Sequence, residues 1–262
     1  MRAAIEHSLL APAKRLRPIL ALLVADVFRA DAMAILPAAC SVEMVHTASL
    51  ILDDLPCMDD AAVRRGRPTC HVAHGQDVAI LAAFALLNRA YEVLAEGWRG
   101  APDAEIRDTL ARQLARAVGL DGMIAGQAID LAMTGKPVDF ETLEFVHSRK
   151  TGALFIASAG FGAAAAGATP GERQAIAAYA KNLGLAFQIV DDLIDATGAL
   201  QETGKDVGKD SRKTTFVSFA GVAGAQQLAR ELALVSERAI AGFSARAEPL
   251  RELARYVVTR RR

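Results

Sequence analysis

Apolar residues recur every three or four positions along most of the chain, with charged residues between them. No run alternates convincingly with period two. Breaks are expected at Gly100-Ala101-Pro102, Gly135-Lys136-Pro137 and Thr169-Pro170-Gly171. The last has a strong start signal: Thr169 as cap, Pro170 at the first helical position, Glu172 three after the cap. Residues 198–215, GALQETGKDVGKDSRKTT, read as one long polar loop. A loop of that length in a compact domain is more often functional than idle. There is no repeat or low-complexity linker. The pattern predicts an all-α, single-domain bundle of roughly ten to twelve helices.

Composition sharpens this picture. The 262 residues are 52% hydrophobic but only 5% aromatic, so the apolar content is mainly alanine and leucine, both strong helix formers. Thirty Lys and Arg balance thirty Asp and Glu. Without a global basic field, nucleic acid is not a favoured partner. Cys40, Cys57 and Cys70 are scattered and odd in number, which gives neither a disulfide framework nor a CxxC metal site. That usage fits a reducing, cytoplasmic setting, and the N-terminus lacks a signal-peptide core. Residues 151–171 carry no charge, yet their apolar content is mostly Ala and Gly. This argues for a buried, closely packed helix in which Gly160, Gly162 and Ala163 let a neighbour approach, and against a transmembrane segment.

Candidate chemistry begins at SLILDDLPCMDDAAVRRGRPT, residues 49–69. A helix over 38–54 should end at the aspartates, because Pro56 disfavours helical geometry at Leu55. On it His46 and Asp53 are two turns apart and share a face, with Ser49 one turn below Asp53. Six further residues of helix would rotate Asp59 by about 600° at ~3.6 residues per turn, off that face. The 55–58 insert must therefore loop out and return Asp59 or Asp60 beside Asp53. Gathered carboxylates repel and need cations. Mg²⁺ suits such a place, since it takes one or two carboxylates and fills its shell with water and phosphate oxygens. Taken alone, the pattern fits a solvated acidic helix end. Arg64 and Arg65, which favour phosphate or carboxylate partners, turn it toward a metal–diphosphate clamp.

FQIVDDLID, residues 187–195, repeats the arrangement. Asp191 and Asp195 are four apart and stack on one helical face. Gln188 lies one turn before Asp191 and Asp192, and Lys205, Lys209 and Lys213 follow in the polar loop. Two acidic helix ends, each followed by basic residues, suggest two walls of one polyanion site.

These residues resemble the trans-polyprenyl diphosphate synthase family. Its two aspartate-rich motifs match Asp53-Asp54-x₄-Asp59 and Asp191-Asp192-x₂-Asp195, and four further signatures follow the family order: KRLRP (14–18), RRGRPT (64–69), RKTGALF (149–155) and GKDVGKDSRKTT (204–215). The stretch HTASLILDDLPCMDDAAVRRGRPT is most similar to bacterial geranylgeranyl diphosphate synthases of carotenoid pathways. The resemblance implies the isoprenoid synthase fold, with helices around a central cavity. It also implies condensation of isopentenyl diphosphate with an allylic diphosphate in the trans geometry. Asp53, Asp59, Asp191, and with them Asp54 and Asp195, would hold three Mg²⁺ on the allylic diphosphate. Arg64 would grip that diphosphate. Lys14, Arg17, His46 and Arg65 would bind isopentenyl diphosphate. Lys150, Thr151, Gln188, Lys205 and Lys213 would complete the allylic site and steady the cation. A homodimer is implied as well.

The family gauges product length beneath the first aspartate motif, where this chain has the small residues Ala48 and Ser49. Synthases of fifteen-carbon products commonly carry an aromatic there, so twenty carbons is the expectation, with farnesyl diphosphate as the alternative. Phe84 could form a lower floor. In the family segment GQAIDL, Gln127 and Asp130 are expected behind the ligands. His71 and His74 could ligate a metal but lack a third soft ligand, so they read as polar packing. The terminal RRR reads as a solvated tail. Pro12-Ala13 stand where the family has Gly-Gly, and family members have some tens of residues before SLL; relative to them this chain begins inside the first helix. A class I terpene cyclase would need a different second motif and would leave Lys14, Arg17, His46 and Arg65 idle. A non-catalytic subunit usually loses an aspartate motif, and both are intact.

Overall fold

The structure, a computed structural model, describes residues 1–201 and 214–260. Lys205 and Lys213 lie outside them. Among the described residues the chain forms twelve α-helices: α1 (Arg2–Leu9), α2 (Leu16–Val27), α3 (Ala32–Asp53), α4 (Cys70–His74), α5 (Gln76–Glu96), α6 (Ala104–Val118), α7 (Met123–Met133), α8 (Phe140–Lys150), α9 (Gly152–Ala165), α10 (Pro170–Gln201), α11 (Phe216–Ala239) and α12 (Glu248–Thr259). The all-α expectation holds. The first two Gly/Pro breaks fall between helices and the third marks the start of α10, where Thr169 and Glu172 form the predicted box: the Thr169 N–H donates to Glu172 Oε2 at 2.7 Å and the Glu172 N–H to Thr169 Oγ1 at 3.3 Å.

Boundaries differ in two places. The helix expected from residue 38 begins at Ala32, capped by Asp31, and carries Pro37 inside it. Proline reads as a helix start, but Pro37 sits in the second turn, where the bond it forgoes is outweighed by the tertiary packing of a long helix. At the other end α10 runs to Gln201, so residues 198–201 are helical rather than loop.

The uncharged stretch forms α9 at the centre of the bundle, packed against α2, α3, α6, α8 and α10. Leu154, Phe155, Ala159, Phe161 and Ala163 are all 1% exposed or less. Gly162 makes this packing possible: a Cβ there would lie 2.3 Å from Ala21 O and 2.8 Å from Ala25 N, both backbone of α2. Backbone cannot swing aside as a side chain can. Gly162→Ala is therefore expected to cost about 3 kcal/mol, lowering the melting temperature by roughly 6–12 °C, measurable by calorimetry.

By length and composition α3 and α5 could each cross a membrane. In the bundle α3 is mostly covered by its neighbours. The outer side of α5 leaves Ile80, Leu81 and Phe84 exposed.

Candidate active site

Helices α2, α3, α5, α7, α9 and α10 surround a cavity of about 910 Å³. Asp53, the last residue of α3, faces into it. After Asp54 the chain turns away: the Met58 and Asp60 N–H groups both donate to Leu55 O, at 2.9 and 3.1 Å. It then returns, and the Asp59 N–H donates to Asp53 O at 2.9 Å. The insert thus loops out as the spacing required, and Asp59 joins Asp53 in the cavity lining. Burial pushes the Asp53 pKa up. Lys150 opposes this, the Asp59 charge adds to it, Arg64 opposes, and Asp54 adds.

Asp54 corrects the expectation of a metal ligand. Its side chain is turned from the cavity and buried, and Arg64 holds it: Nε donates to both carboxylate oxygens, at 2.8 and 2.9 Å, and Nη2 lies 2.7 Å from Oδ1. The carboxylate of the next residue along a helix points about 100° round, so two adjacent aspartates do not face one site. Arg64 reaches it from a two-stranded hairpin, β1 (Val63–Arg64) and β2 (Arg67–Pro68), absent from the period-two reading because each strand has only two residues. Arg65 and Gly66 make its turn with φ of 54° and 72°, the pattern of a tight primed turn. The hairpin sends Arg64 to Asp54 and places Arg65 in the cavity lining.

The second wall comes from α10, where Asp191 and Asp195 line the same cavity, as one helical face demands. Asp192 points elsewhere. It accepts from Gln188 Nε2 at 3.0 Å and from the Phe216 N–H at 3.0 Å, tying α10 to the start of α11. Thr151 Oγ1 donates to Gln188 Oε1 at 2.8 Å, which joins the head of α9 to that chain of bonds. Burial raises the Asp192 pKa to about 6, against the two bonds it accepts; the Asp191 and Asp195 charges push it further. A carboxyl whose folded pKa exceeds its unfolded value holds its proton more tightly in the folded state. The stability this gives is present below the unfolded pKa and is lost as pH rises through about 6. Asp192→Asn keeps a hydrogen-bonding side chain and does not ionise. In chelator-treated protein it is expected to melt a few degrees above wild type at pH 8 and level with it at pH 4, by thermal denaturation.

Arg260 was missed by sequence reasoning and corrects the solvated-tail expectation. Its side chain is 1% exposed. Nη2 lies 2.5 Å from Asp191 Oδ1 and donates to Phe187 O at 3.0 Å, and the guanidinium sits 4.1 Å above the Phe187 ring. A cluster of terminal arginines carries no periodicity that could single one out.

Basic groups gather between the walls. Lys14, Arg17, His46, Arg64, Arg65 and Lys150 all line the cavity, with Thr151 and Gln188 beside them. Arg17 is buried, stacked 4.9 Å from the Phe155 ring centroid, and its Nε has no partner. Burial draws its pKa down to about 10, against the pull of Glu43 and Asp191. Burial and then the Arg17, Arg65, Arg64 and Arg15 charges hold His46 well below its usual range, so its imidazole is neutral at pH 7. Crowded cations short of acceptors suit an incoming polyanion. Lys150 Nζ is 2.7 Å from Asp130 Oδ2. Gly126 permits this, because a Cβ there would lie 2.4 Å from the Lys150 backbone N. Gln127 lines the cavity with both amide heavy atoms buried and unbonded. His71 bonds Thr69, and His74 packs edge-on to His7. Pro12 and Ala13 carry no positive φ; the left-handed residue of that segment is Arg15.

Below Asp53 the wall is apolar and narrow-chained. Ala48, Ser49, Leu52, Ala83 and Leu87 line it, and Ser49 Oγ is turned back to donate to His46 O at 2.9 Å. Phe84 lines the cavity too, but its residue is 61% exposed. It is an outer lip on α5 rather than a buried floor.

Among the described residues, no three His, Cys, Asp or Glu side chains close around one point. The arrangement fits Mg²⁺, which needs few protein oxygens and completes its shell with water and diphosphate.

Comparison with known proteins agrees with this geometry. The sequence model of the family described as Polyprenyl synthetase matches residues 1–240. The chain belongs to the polyprenyl synthetase family. Similar members include geranylgeranyl pyrophosphate synthase 9, chloroplastic, of Arabidopsis thaliana, 42% identical over 99% of this chain and 74% of that one. The chloroplastic geranylgeranyl pyrophosphate synthase of Capsicum annuum is 42% identical over 98% and 70%. Among solved structures, an FPP/GFPP synthase from Zymomonas mobilis superposes with a TM-score of 0.88 at 37% identity, covering 98% of this chain and 87% of that one. A geranyltransferase from Helicobacter pylori, complexed with magnesium and isoprenyl diphosphate, has a TM-score of 0.85 at 33% identity, covering 97% and 86%. This polyprenyl synthetase is an all-α prenyltransferase.

Proposed function

We propose that this polyprenyl synthetase condenses isopentenyl diphosphate with an allylic diphosphate, head to tail and trans, to give geranylgeranyl diphosphate. One observation carries the reading: two aspartate-bearing helix segments and a cluster of cations share a cavity that has the small residues Ala48 and Ser49 about one turn beneath Asp53. The geranylgeranyl names of the plant relatives support it.

In this reading Asp53, Asp59, Asp191 and Asp195 hold Mg²⁺, three ions by family resemblance. Bound magnesium neutralises the leaving diphosphate. Arg64 and Lys150 hold the allylic diphosphate from the protein side. Lys14, Arg17, His46 and Arg65 hold isopentenyl diphosphate. Thr151 and Gln188, bonded to each other in the cavity lining, supply oxygen dipoles beside the carbon that becomes cationic, and apolar walls exclude the water that would quench it. The allylic C–O bond breaks, a C–C bond forms to the isopentenyl alkene, and the proton then lost goes to the released diphosphate. No protein base is required. Lys205 and Lys213 keep their expected place on the allylic diphosphate as part of this proposal.

We place the protein in the cytoplasm as a homodimer, supplying pathways that build on a twenty-carbon diphosphate, carotenoids among them. The exposed Ile80, Leu81 and Phe84 of α5 suit an apolar face on a second copy, and light scattering would test it.

The deciding assay supplies Mg²⁺, isopentenyl diphosphate and farnesyl diphosphate, with chromatography of the dephosphorylated products. A twenty-carbon alcohol supports the proposal. In a parallel run primed with geranyl diphosphate, arrest at fifteen carbons supports a farnesyl diphosphate synthase instead. A cyclic hydrocarbon, or no product, overturns it.

A further inference from the structure

Arg15 stands between Lys14 and Arg17 in the KRLR run, yet its guanidinium is engaged elsewhere. Nη1 donates to Glu43 Oε1 at 2.5 Å, and Nη2 to Leu9 O at 2.5 Å and Ala11 O at 2.8 Å. These acceptors lie on three segments: the end of α1, the connector after it, and the middle of α3. The Arg15 backbone is left-handed, with φ of 51° and ψ of 34°, at the cap of α2. A residue with a Cβ stays in that region only when its surroundings hold it there, and three bonds from one side chain do so. The direction in which Lys14 leaves α2 is set by those two angles.

Glu43 completes the argument. It is 6% exposed, and its charge favours the cationic forms of Arg17 and Arg65. Without it the mutual repulsion of Arg15, Arg17 and Arg65 would be opposed only by the weaker pull of Asp191 on Arg17 and of Asp54 on Arg65.

We propose that Arg15 and Glu43 form a positioning clasp that aims Lys14 and Arg17 at the isopentenyl diphosphate and keeps the cation cluster assembled between turnovers. This rests on the assignment of Lys14, Arg17, His46 and Arg65 to that substrate. The clasp residues are positioning residues; they act through their neighbours.

The test uses the double variant Arg15→Met/Glu43→Gln. It removes one positive and one negative charge, so the long-range field on the substrate is unchanged and Glu43 is not left buried and unpaired. Isopentenyl diphosphate binding, measured by calorimetry on the full chain with Mg²⁺, is expected to weaken about tenfold. The KM for isopentenyl diphosphate should rise in parallel, while the KM for the allylic diphosphate and kcat stay within about threefold. Arg15→Lys keeps the charge pair but loses the fork to Leu9 and Ala11; it is a gentler second probe, expected to weaken binding about threefold. Arg65→Gln serves as the control. If Arg65→Gln weakens binding and neither clasp variant does, the clasp is overturned. An equal rise in both substrates' KM in the double variant also overturns it. If Arg65→Gln leaves binding unchanged too, the subsite assignment fails and the clasp with it.

Discussion

Asp53→Asn is expected to lower kcat about a thousandfold while the protein stays folded. Asparagine matches the shape of aspartate but removes the charge that would draw a divalent ion to the first wall. Catalysis of this kind depends on stabilising charge as it develops on the leaving group; removing one such interaction typically costs 10²–10³, and a charged ligand to the ion belongs at the upper end. Burial and the neighbouring Asp59 raise the Asp53 pKa, so the ionised side chain is a burden on the metal-free protein. The variant should thus melt at or above the wild-type temperature in chelator while needing far more Mg²⁺ for half-maximal rate. Steady-state kinetics across a Mg²⁺ titration, paired with thermal melts, checks both halves. Activity within tenfold of wild type at ordinary Mg²⁺ would remove Asp53 from the site.

Ala48→Phe is expected to move the product from twenty carbons to fifteen. Ala48 is 4% exposed and lines the cavity one helical turn and a residue below Asp53, packed with Ile51 and Ala83. A phenyl ring there fills the space the growing chain must enter, and a close-packed wall yields little to it. Turnover of geranyl diphosphate should persist, because the diphosphate ends of both substrates bind above the change. Product chromatography decides the matter. An unchanged product distribution would mean that the growing chain passes Ala48 by another route and that its length is gauged elsewhere.

Much of the architecture was legible from periodicity, because helices that bury one stripe must repeat it. The return of Asp59 was legible for a stricter reason: proline at 56 and a six-residue spacing leave a looped insert as the only way back to Asp53. Adjacent aspartates were harder. Both motifs contain a pair, but helical rotation sends Asp54 to Arg64 and Asp192 to the α11 N-terminus, so each pair divides into one cavity residue and one anchor. That division follows from geometry once a partner is known, and the partners are distant in sequence. The left-handed Arg15 could not be read at all, since the strain falls on an arginine and the bonds that hold it there form only after α1 and α3 have packed. Arg260 was obscured by its own neighbours in a run of identical residues.

Its position has a consequence for synthesis in the cell. Asp191 is complete with its counter-ion only after residue 260 has been translated and α12 has docked against α10. A nascent chain that has not yet delivered residue 260 therefore carries an electrically unfinished chamber, however well its earlier helices have folded. Clipping by a protease just before that arginine would return the molecule to the same unfinished condition.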